Sequence, residues 1–160
     1  DVFRVADSQV ASRWGNILEF NGFDLITPNE REARFALGDQ EFVRPLGLEL
    51  YRQSGCKTLI LKLGERGLMT FRSVPEQEED VRAFFAVDTF TERVVDAVGS
   101  GDALLAYAAL SMVATKNAVI ASVLGSLAAA VECGHEGNVP VRPKDVLDKL
   151  DRFERLVNYG

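Results

Sequence analysis

Histidine and cysteine are both scarce in this 160-residue chain. The one histidine is His135, and the two cysteines, Cys56 and Cys133, lie far apart without a C-x-x-C pair. A single histidine excludes Ser-His-Asp triads and metal sites built from several histidines, so His135 is interpreted as a surface loop residue. The separated cysteines are interpreted as buried thiols of a reduced compartment, which predicts a cytoplasmic protein.

An excess of basic charge is also missing. The chain has 18 Lys and Arg against 24 Asp and Glu, a net charge of −6. This balance argues against a nucleic-acid partner, because duplex binding needs many phosphate-neutralising cations. The longest apolar run, at 103–114, is too short to span a bilayer, and the chain does not open with a signal-peptide pattern. We therefore expect neither a nucleic-acid nor a membrane partner, although a nucleotide can still bind through local amides.

What the chain does contain is an alternation of strand-like and helix-like segments. Its 47% hydrophobic and 26% charged residues are ordinary for one globular domain. The alternation predicts an α/β fold with a mainly parallel, Rossmann-like three-layer sheet flanked by helices. Glycines 64 and 67 predict a hairpin inside this fold, and residues 73–80 an exposed acidic loop. The predicted segments are strands at 2–7, 24–27, 58–63, 68–71 and 81–87, and helices at 30–37, 45–54, 103–114, 118–132 and from 143 onward. The helices at 103–114 and 118–132 are apolar on nearly every face, which predicts that both are largely buried.

The first residues form a strand-like run without an initiator Met. A domain that opens inside a strand is expected to be part of something longer. The chain is therefore interpreted as a fragment. Truncation would expose edge strands, which makes a homodimer one of the expected partners.

The most chemical segment is residues 96–102, Asp-Ala-Val-Gly-Ser-Gly-Asp, which precede a long predicted helix. Two glycines one residue apart allow backbone amides to point at one spot, where the helix dipole favours an anion. A carboxylate at Asp102 would repel a bound phosphate, but it suits a base that takes a proton from an attacking hydroxyl. The alternative is that Asp102 only caps the helix.

Two other nucleotide-binding motifs are absent. Leu104 stands where the third glycine of a dinucleotide fingerprint belongs, which disfavours a nicotinamide-dependent oxidoreductase. No Gly-Lys-Ser/Thr triplet of a Walker loop occurs either. Trp14 and Phe20 are interpreted as packing residues rather than a stacking platform.

Residues 96–102 resemble the C-terminal signature of the ribokinase/PfkB family of carbohydrate kinases. The resemblance implies a ribokinase-like fold in which Gly99, Ser100 and Gly101 form an anion hole and Asp102 is the catalytic base. It also implies that the whole chain, 1–160, is the C-terminal nucleotide-binding part of such a domain. The N-terminal sugar-binding half and the lid would then be absent.

Two upstream segments also resemble this family. Asn29 and Glu32 match its Asn-x-x-Glu motif, which implies that they place Mg²⁺ and the nucleotide phosphates, Glu32 through water. The alternative is a capped helix with an acidic first turn. Gly64 and Gly67 match a turn against the nucleotide, or they form an ordinary hairpin turn. Lys62 either contacts a phosphate or only ends its strand.

Further positions carry weaker parts of the same resemblance. Asp96 and the turn at 134–139 lie where the family often binds a monovalent cation, so K⁺ is an additional candidate. Ser126 stands where an asparagine often faces the adenine. Residues 7–9, 24–29 and 136–140 look most like the heptose-phosphate kinases of ADP-heptose synthesis.

The resemblance thus implies transfer of the γ-phosphoryl group of Mg·ATP to a hydroxyl of a sugar or sugar phosphate. Because most of the sugar site would be missing, the isolated chain is expected to be inactive or nearly so. The alternative function is a non-catalytic nucleotide-binding or pairing module on the same fold. Titration with ATP separates these two hypotheses.

Overall fold

The computed structural model describes residues 2–7, 16–38, 41–72 and 83–159. The chain divides into two compact units, Asp1–Asp88 and Thr89–Gly160, which are described separately below. The acidic loop predicted at 73–80, Trp14 and residues 8–9 of the family resemblance lie outside the described residues. Phe20 is partly buried and packs edge-to-face on Phe23, with the ring centroids 5.4 Å apart, which confirms its packing role.

The first unit contains a five-stranded sheet with the strand order β1-β2-β3-β4-β5. β1, β2 and β3 are parallel, whereas β3, β4 and β5 are antiparallel neighbours. The hairpin predicted at residues 64–67 is confirmed, and it supplies the antiparallel part of the sheet. The strands are β1 Val5–Ala6, β2 Leu25–Ile26, β3 Thr58–Lys62, β4 Leu68–Arg72 and β5 Phe84–Val87.

Two α-helices pack on the core in the described part of this unit. They are α1, Glu30–Leu37, and α2, Val43–Ser54. Gly38 and Gly55 end them, as predicted, but α2 begins two residues before Pro45. Proline is still accommodated there, because the first-turn amides of a helix have no intrahelical acceptor to lose. The core that they form with the sheet includes the fully buried side chains of Ile26, Leu46, Leu50, Leu59 and Leu61.

In its described residues, 89–159, the second unit contains three α-helices. They are α3, Ser100–Thr115, α4, Ala118–Glu132, and α5, Pro143–Tyr159. The predicted bounds of α4 and the predicted start of α5 are confirmed. α3 and α4 approach closely at Gly125, where an added Cβ would lie 3.0 Å from the Leu104 carbonyl oxygen.

One prediction for this unit is wrong in part. The sequence predicts that the helix at 103–114 is largely buried, but in α3 Leu110 is 69% and Val113 58% exposed. The side chains of α3 that are buried are Leu104, Ala108 and Ser111, which share one face. A helix that is apolar all round carries no pattern that selects the packed face. Among the described residues, no helix is long and apolar enough to cross a membrane.

Candidate functional site

In the second unit, the loop at 96–102 turns directly into α3. Gly99 is the N-cap residue, with φ of +84° and ψ of −14°. The Ser100 amide and hydroxyl both donate to the Ala97 carbonyl, at 3.3 and 2.8 Å. The first helical hydrogen bond runs from the Ala103 amide to the Gly99 carbonyl at 2.9 Å. The left-handed backbone at Gly99 therefore lets a tight turn pass straight into the helix.

The two backbone amides that follow Ser100 in α3 are those of Gly101 and Asp102. Neither donates to an acceptor anywhere in the described ranges, and no side chain caps the helix. They also lie at the positive end of the dipole of a 16-residue helix. Two unpaired amides with that dipole form a site suited to an anion such as a phosphate. The Ser100 amide, which the sequence also assigned to the anion hole, is already used by Ala97.

Asp102 is the third residue of α3, and its side chain is exposed. Its carboxylate makes no hydrogen bond or ion pair with any residue that the structure describes. The alternative that Asp102 is the helix cap is therefore wrong, because Gly99 occupies that position without a side-chain bond. A carboxylate free of partners, in the same turn as two unpaired amides, can accept a proton beside a bound anion.

Asp96 organises the loop that leads to this turn. Its Oδ1 accepts from the Val98 amide at 3.0 Å, and its Oδ2 accepts from the Gly137 amide at 3.2 Å. The amides of Val95 and Asp96 also donate to the Cys133 carbonyl, at 2.7 and 3.3 Å. The structure thus brings Asp96 and the 134–139 turn together, as the sequence suggested. A monovalent cation there stays a prediction.

Glu132, the last residue of α4, was missed by sequence reasoning. It is only 1% exposed, and its Oε1 accepts from the Val139 amide at 2.8 Å. Its Oε2 is buried without a hydrogen-bond partner in the described structure. The sequence feature that could have identified Glu132 is a single acidic residue at the end of an apolar, Ala-rich helix. A charged side chain is rarely buried without a specific partner or role.

In the first unit, polar residues collect at the carboxyl ends of the parallel strands. Asp7 follows β1, Asn29 follows β2, and Lys62 ends β3. Lys62 Nζ donates to Asp7 Oδ2 at 2.7 Å, and the Lys62 amide donates to the Pro28 carbonyl at 2.8 Å. This edge is where open α/β sheets commonly bind ligands. The sequence did not foresee that Asp7 pairs with Lys62, because 55 residues separate them.

Asn29 and Glu32 close a reciprocal capping box at the start of α1. The Glu32 amide donates to Asn29 Oδ1 at 2.8 Å, and the Asn29 amide donates to Glu32 Oε2 at 2.7 Å. Burial raises the pKa of Glu32, while the Asn29 amide and the Lys62 charge oppose that rise. The capped-helix interpretation is thus confirmed. The proposed contact with magnesium and phosphates stays a prediction for both residues.

The remaining predicted residues are described by their own surroundings. Gly64 and Gly67 bound the short 3₁₀ turn between β3 and β4, with φ of +61° and +80°. No atom of the described residues lies within 4 Å of a Cβ added at Gly64, so this corner of the turn is open in that part of the chain. Ser126 is 7% exposed within α4, and its assignment to the adenine stays a prediction. His135 is exposed, as predicted.

The structure is thus an α/β protein in which the exposed Asp102 carboxylate shares the first turn of α3 with two amides that have no acceptor among the described residues. Comparison with known proteins names its class. The model for the pfkB family of carbohydrate kinases matches residues 5–145, so the chain belongs to this family. The family resemblance inferred from the motifs is confirmed.

Among its relatives are proteins named bifunctional protein HldE. The one from Nitratiruptor sp. is 29% identical over 143 residues, which is 87% of this chain and 28% of that protein. The one from Nitrobacter winogradskyi is 31% identical over 126 residues, 76% of this chain and 24% of that protein. The chain therefore spans about a quarter of the length of these curated relatives.

Solved structures confirm the ribokinase-like fold. Ribokinase from Thermotoga maritima superposes with a TM-score of 0.74 at 24% identity, covering 92% of this chain and 48% of that one. Ribokinase from Arabidopsis thaliana, solved with ribose and ATP, gives a TM-score of 0.72 at 25% identity, covering 91% and 46%. The predicted fold class is confirmed.

Proposed function

We propose that the protein containing this chain transfers the γ-phosphoryl group of ATP to a hydroxyl of a sugar or sugar phosphate. Membership of the carbohydrate kinase family supports a sugar kinase in general. Asp102 is assigned as the base, and the Gly99-Ser100-Gly101 turn as the anion hole. The amides of Gly101 and Asp102 are its available donors.

One observation carries the proposal: a carboxylate with no partner among the described residues shares the first turn of α3 with two amides that have no acceptor there either. In the proposed step, Asp102 takes the hydroxyl proton while the acceptor oxygen forms a bond to the γ-phosphorus. The bond from that phosphorus to the bridging oxygen breaks, and ADP leaves with the electron pair. Amides fixed before the reaction stabilise the charge on the transferred group.

Mg²⁺ is the metal implied by this chemistry, and the first unit offers suitable oxygen donors. Glu32 uses Oε2 in the capping box, while Oε1 has no hydrogen-bond partner among the described residues. Carboxylate and amide oxygens are the protein ligands that Mg²⁺ accepts, usually with waters retained. Glu32, through water, and Asn29 are therefore proposed to hold it. When bound, the ion would neutralise phosphate charge.

The proposed sugar acceptor and the proposed place of this chain within a larger domain both follow from the family resemblance. A heptose phosphate is the proposed acceptor, because residues 24–29 and 136–140 look like kinases of that substrate. The chain is proposed to be the C-terminal nucleotide-binding part of its domain, so the isolated 160 residues are expected not to phosphorylate sugars. A cytoplasmic location, a K⁺ site and a homodimer stay predictions.

The test uses the full-length protein. Calorimetric titration with Mg·ATP, with and without a panel of sugars and sugar phosphates, is paired with an assay of ADP release. Release of ADP that depends on one acceptor supports the proposal. Binding of ATP without turnover on any acceptor would favour a non-catalytic nucleotide-binding module. Absence of ATP binding, with NADH fluorescence enhanced instead, would contradict both.

A further inference from the structure

Glu132 lies directly against the N-cap of α3. A Cβ added to Gly99 would lie 2.8 Å from Glu132 Oε1 and 2.7 Å from Asn138 Oδ1. The backbone of Gly99 therefore fits against these two oxygens with no room for a side chain. The carboxylate that meets Gly99 also receives the Val139 amide at 2.8 Å. A single buried group thus touches both the loop at 96–102, here called the phosphate loop, and the turn that follows α4.

The same turn is fastened to the phosphate loop at a second point. The Gly137 amide donates to Asp96 Oδ2 at 3.2 Å, and Asp96 Oδ1 holds the Val98 amide. Asp96 fixes the start of the loop, whereas Glu132 meets its end at Gly99. The loop is therefore held from both sides by the segment at 132–139.

Packing alone does not account for a carboxylate at this position. Glu132 is 1% exposed, and its Oε2 is buried without a hydrogen-bond partner in the described part of the chain. Burial of an ionisable group without full pairing opposes folding, and an apolar side chain of similar size would avoid that cost. The carboxylate is thus explained better by what Oε1 holds than by the volume it fills.

We propose that Glu132 is a positioning residue for phosphoryl transfer, acting through Gly99 on the unpaired amides of Gly101 and Asp102. This inference rests on the proposed kinase function. Oε1 fixes the 137–139 turn, and the carboxylate and Asn138 set the place of the N-cap. The Gly101 and Asp102 amides then keep the positions in which they meet the transferred group. Such donors act only when held close to their productive geometry.

Three variants of the full-length protein test the inference. Glu132→Met keeps the size of the side chain but removes the acceptor for the Val139 amide. Glu132→Gln keeps both the size of the side chain and an oxygen that can accept from the Val139 amide. Glu154→Ala, at an exposed glutamate of α5 in the same unit, is the matched control. All three are first compared with wild type by far-UV circular dichroism and thermal unfolding, so that folded protein is assayed.

Steady-state kinetics give the first measurement. Glu132→Met is expected to lower kcat by on the order of 10²-fold, the size of effect that a displaced catalytic geometry produces. KM for ATP is expected to stay near the wild-type value, because the lost interaction acts in the transition state. Glu132→Gln is expected to restore most of kcat. Equal kcat values for Gln and Met, or a Met variant with wild-type kcat, would overturn the inference.

Hydrogen exchange gives a measurement that does not depend on kinase activity. Glu132→Met is expected to speed exchange in the peptide that covers 95–102, while a peptide over β3 and β4 exchanges as in wild type. Unchanged exchange at 95–102 would overturn the positioning role. A wild-type protein that transfers no phosphate, yet shows this exchange pattern, would overturn the proposed function and leave Glu132 as a determinant of loop structure alone.

Discussion

Substitution of Gly99 by alanine probes the turn on which the proposed chemistry depends. The added Cβ would meet Asn138 Oδ1 at 2.7 Å and Glu132 Oε1 at 2.8 Å. The backbone is also left-handed there, at φ of +84°. Gly137 provides a matched control for stability in the same unit, since its φ is +73° and no atom of the described chain lies within 4 Å of an added Cβ.

Alanine at either position has the cost of a left-handed backbone, but only the Cβ at position 99 overlaps other atoms. A left-handed L-residue costs about 1–2 kcal/mol, and this is the whole expected loss for Gly137→Ala. Overpacking adds about 1–3 kcal/mol at Gly99, where buried Glu132 has little room to move. We therefore expect Gly99→Ala to lose about 2–5 kcal/mol in all. That loss is a large part of the 5–15 kcal/mol by which domains are ordinarily stable.

Equilibrium urea unfolding of the full-length variants, followed by far-UV circular dichroism, measures both losses. Gly99→Ala should have the lower transition midpoint, with a gap between the two variants of about 1–3 kcal/mol. Kinase turnover should fall with Gly99→Ala. If the two variants unfold at the same urea concentration, Gly99 is not packed against Glu132 and Asn138.

Three further predictions concern the first unit. The Arg4 amide, which donates to Asp24 at 2.8 Å, is the main cause that lowers the pKa of Asp24 below 3.8. Asp24→Asn should thus lower the free energy of unfolding by about 1–3 kcal/mol near neutral pH. This difference from wild type should vanish as the pH falls through the lowered pKa, and a difference independent of pH would contradict the prediction. Burial raises the pKa of Glu32, so wild type should lose stability relative to Glu32→Gln as the pH rises above 4.5; a constant difference from pH 4 to 8 would contradict the shift. Gly47→Ala would place a Cβ into the ring of Phe71, so calorimetry should show a lower Tm from a loss of about 1–3 kcal/mol, whereas an unchanged Tm would contradict the packing.

Local signals in the sequence predicted the framework well. The hairpin depends on glycines at 64 and 67, and the start of α5 depends on Pro143. Each of these signals acts on the backbone within a few residues. Such features can be predicted because their cause lies next to their effect in the chain.

Long-range contacts could not be predicted in the same way. Lys62 pairs with Asp7, and Glu132 meets Gly99 from another helix. Nothing local at either position specifies its partner. The exposed face of α3 is a further case, because an apolar helix with Leu110 and Val113 on the outside has the same periodicity as a buried one.

The motif at 96–102 allowed two interpretations that only coordinates could separate. A Gly-x-Gly-Asp sequence suits a capped helix as well as a phosphate loop with a base. The structure gives the cap to Gly99 and leaves the Asp102 carboxylate without partners in the described chain. The chemical assignment therefore depends on a position in the first helical turn, which composition and spacing do not fix.

Turnover of Asp102→Ala in the full-length protein tests the central claim most directly. With Asp148→Ala, at an exposed aspartate of α5, as control, kcat for phosphorylation of the best acceptor should fall by on the order of 10²–10⁴-fold. The affinity for Mg·ATP, measured by calorimetry, should change little. An Asp102→Ala enzyme that keeps the turnover of wild type would show that this carboxylate is not the base.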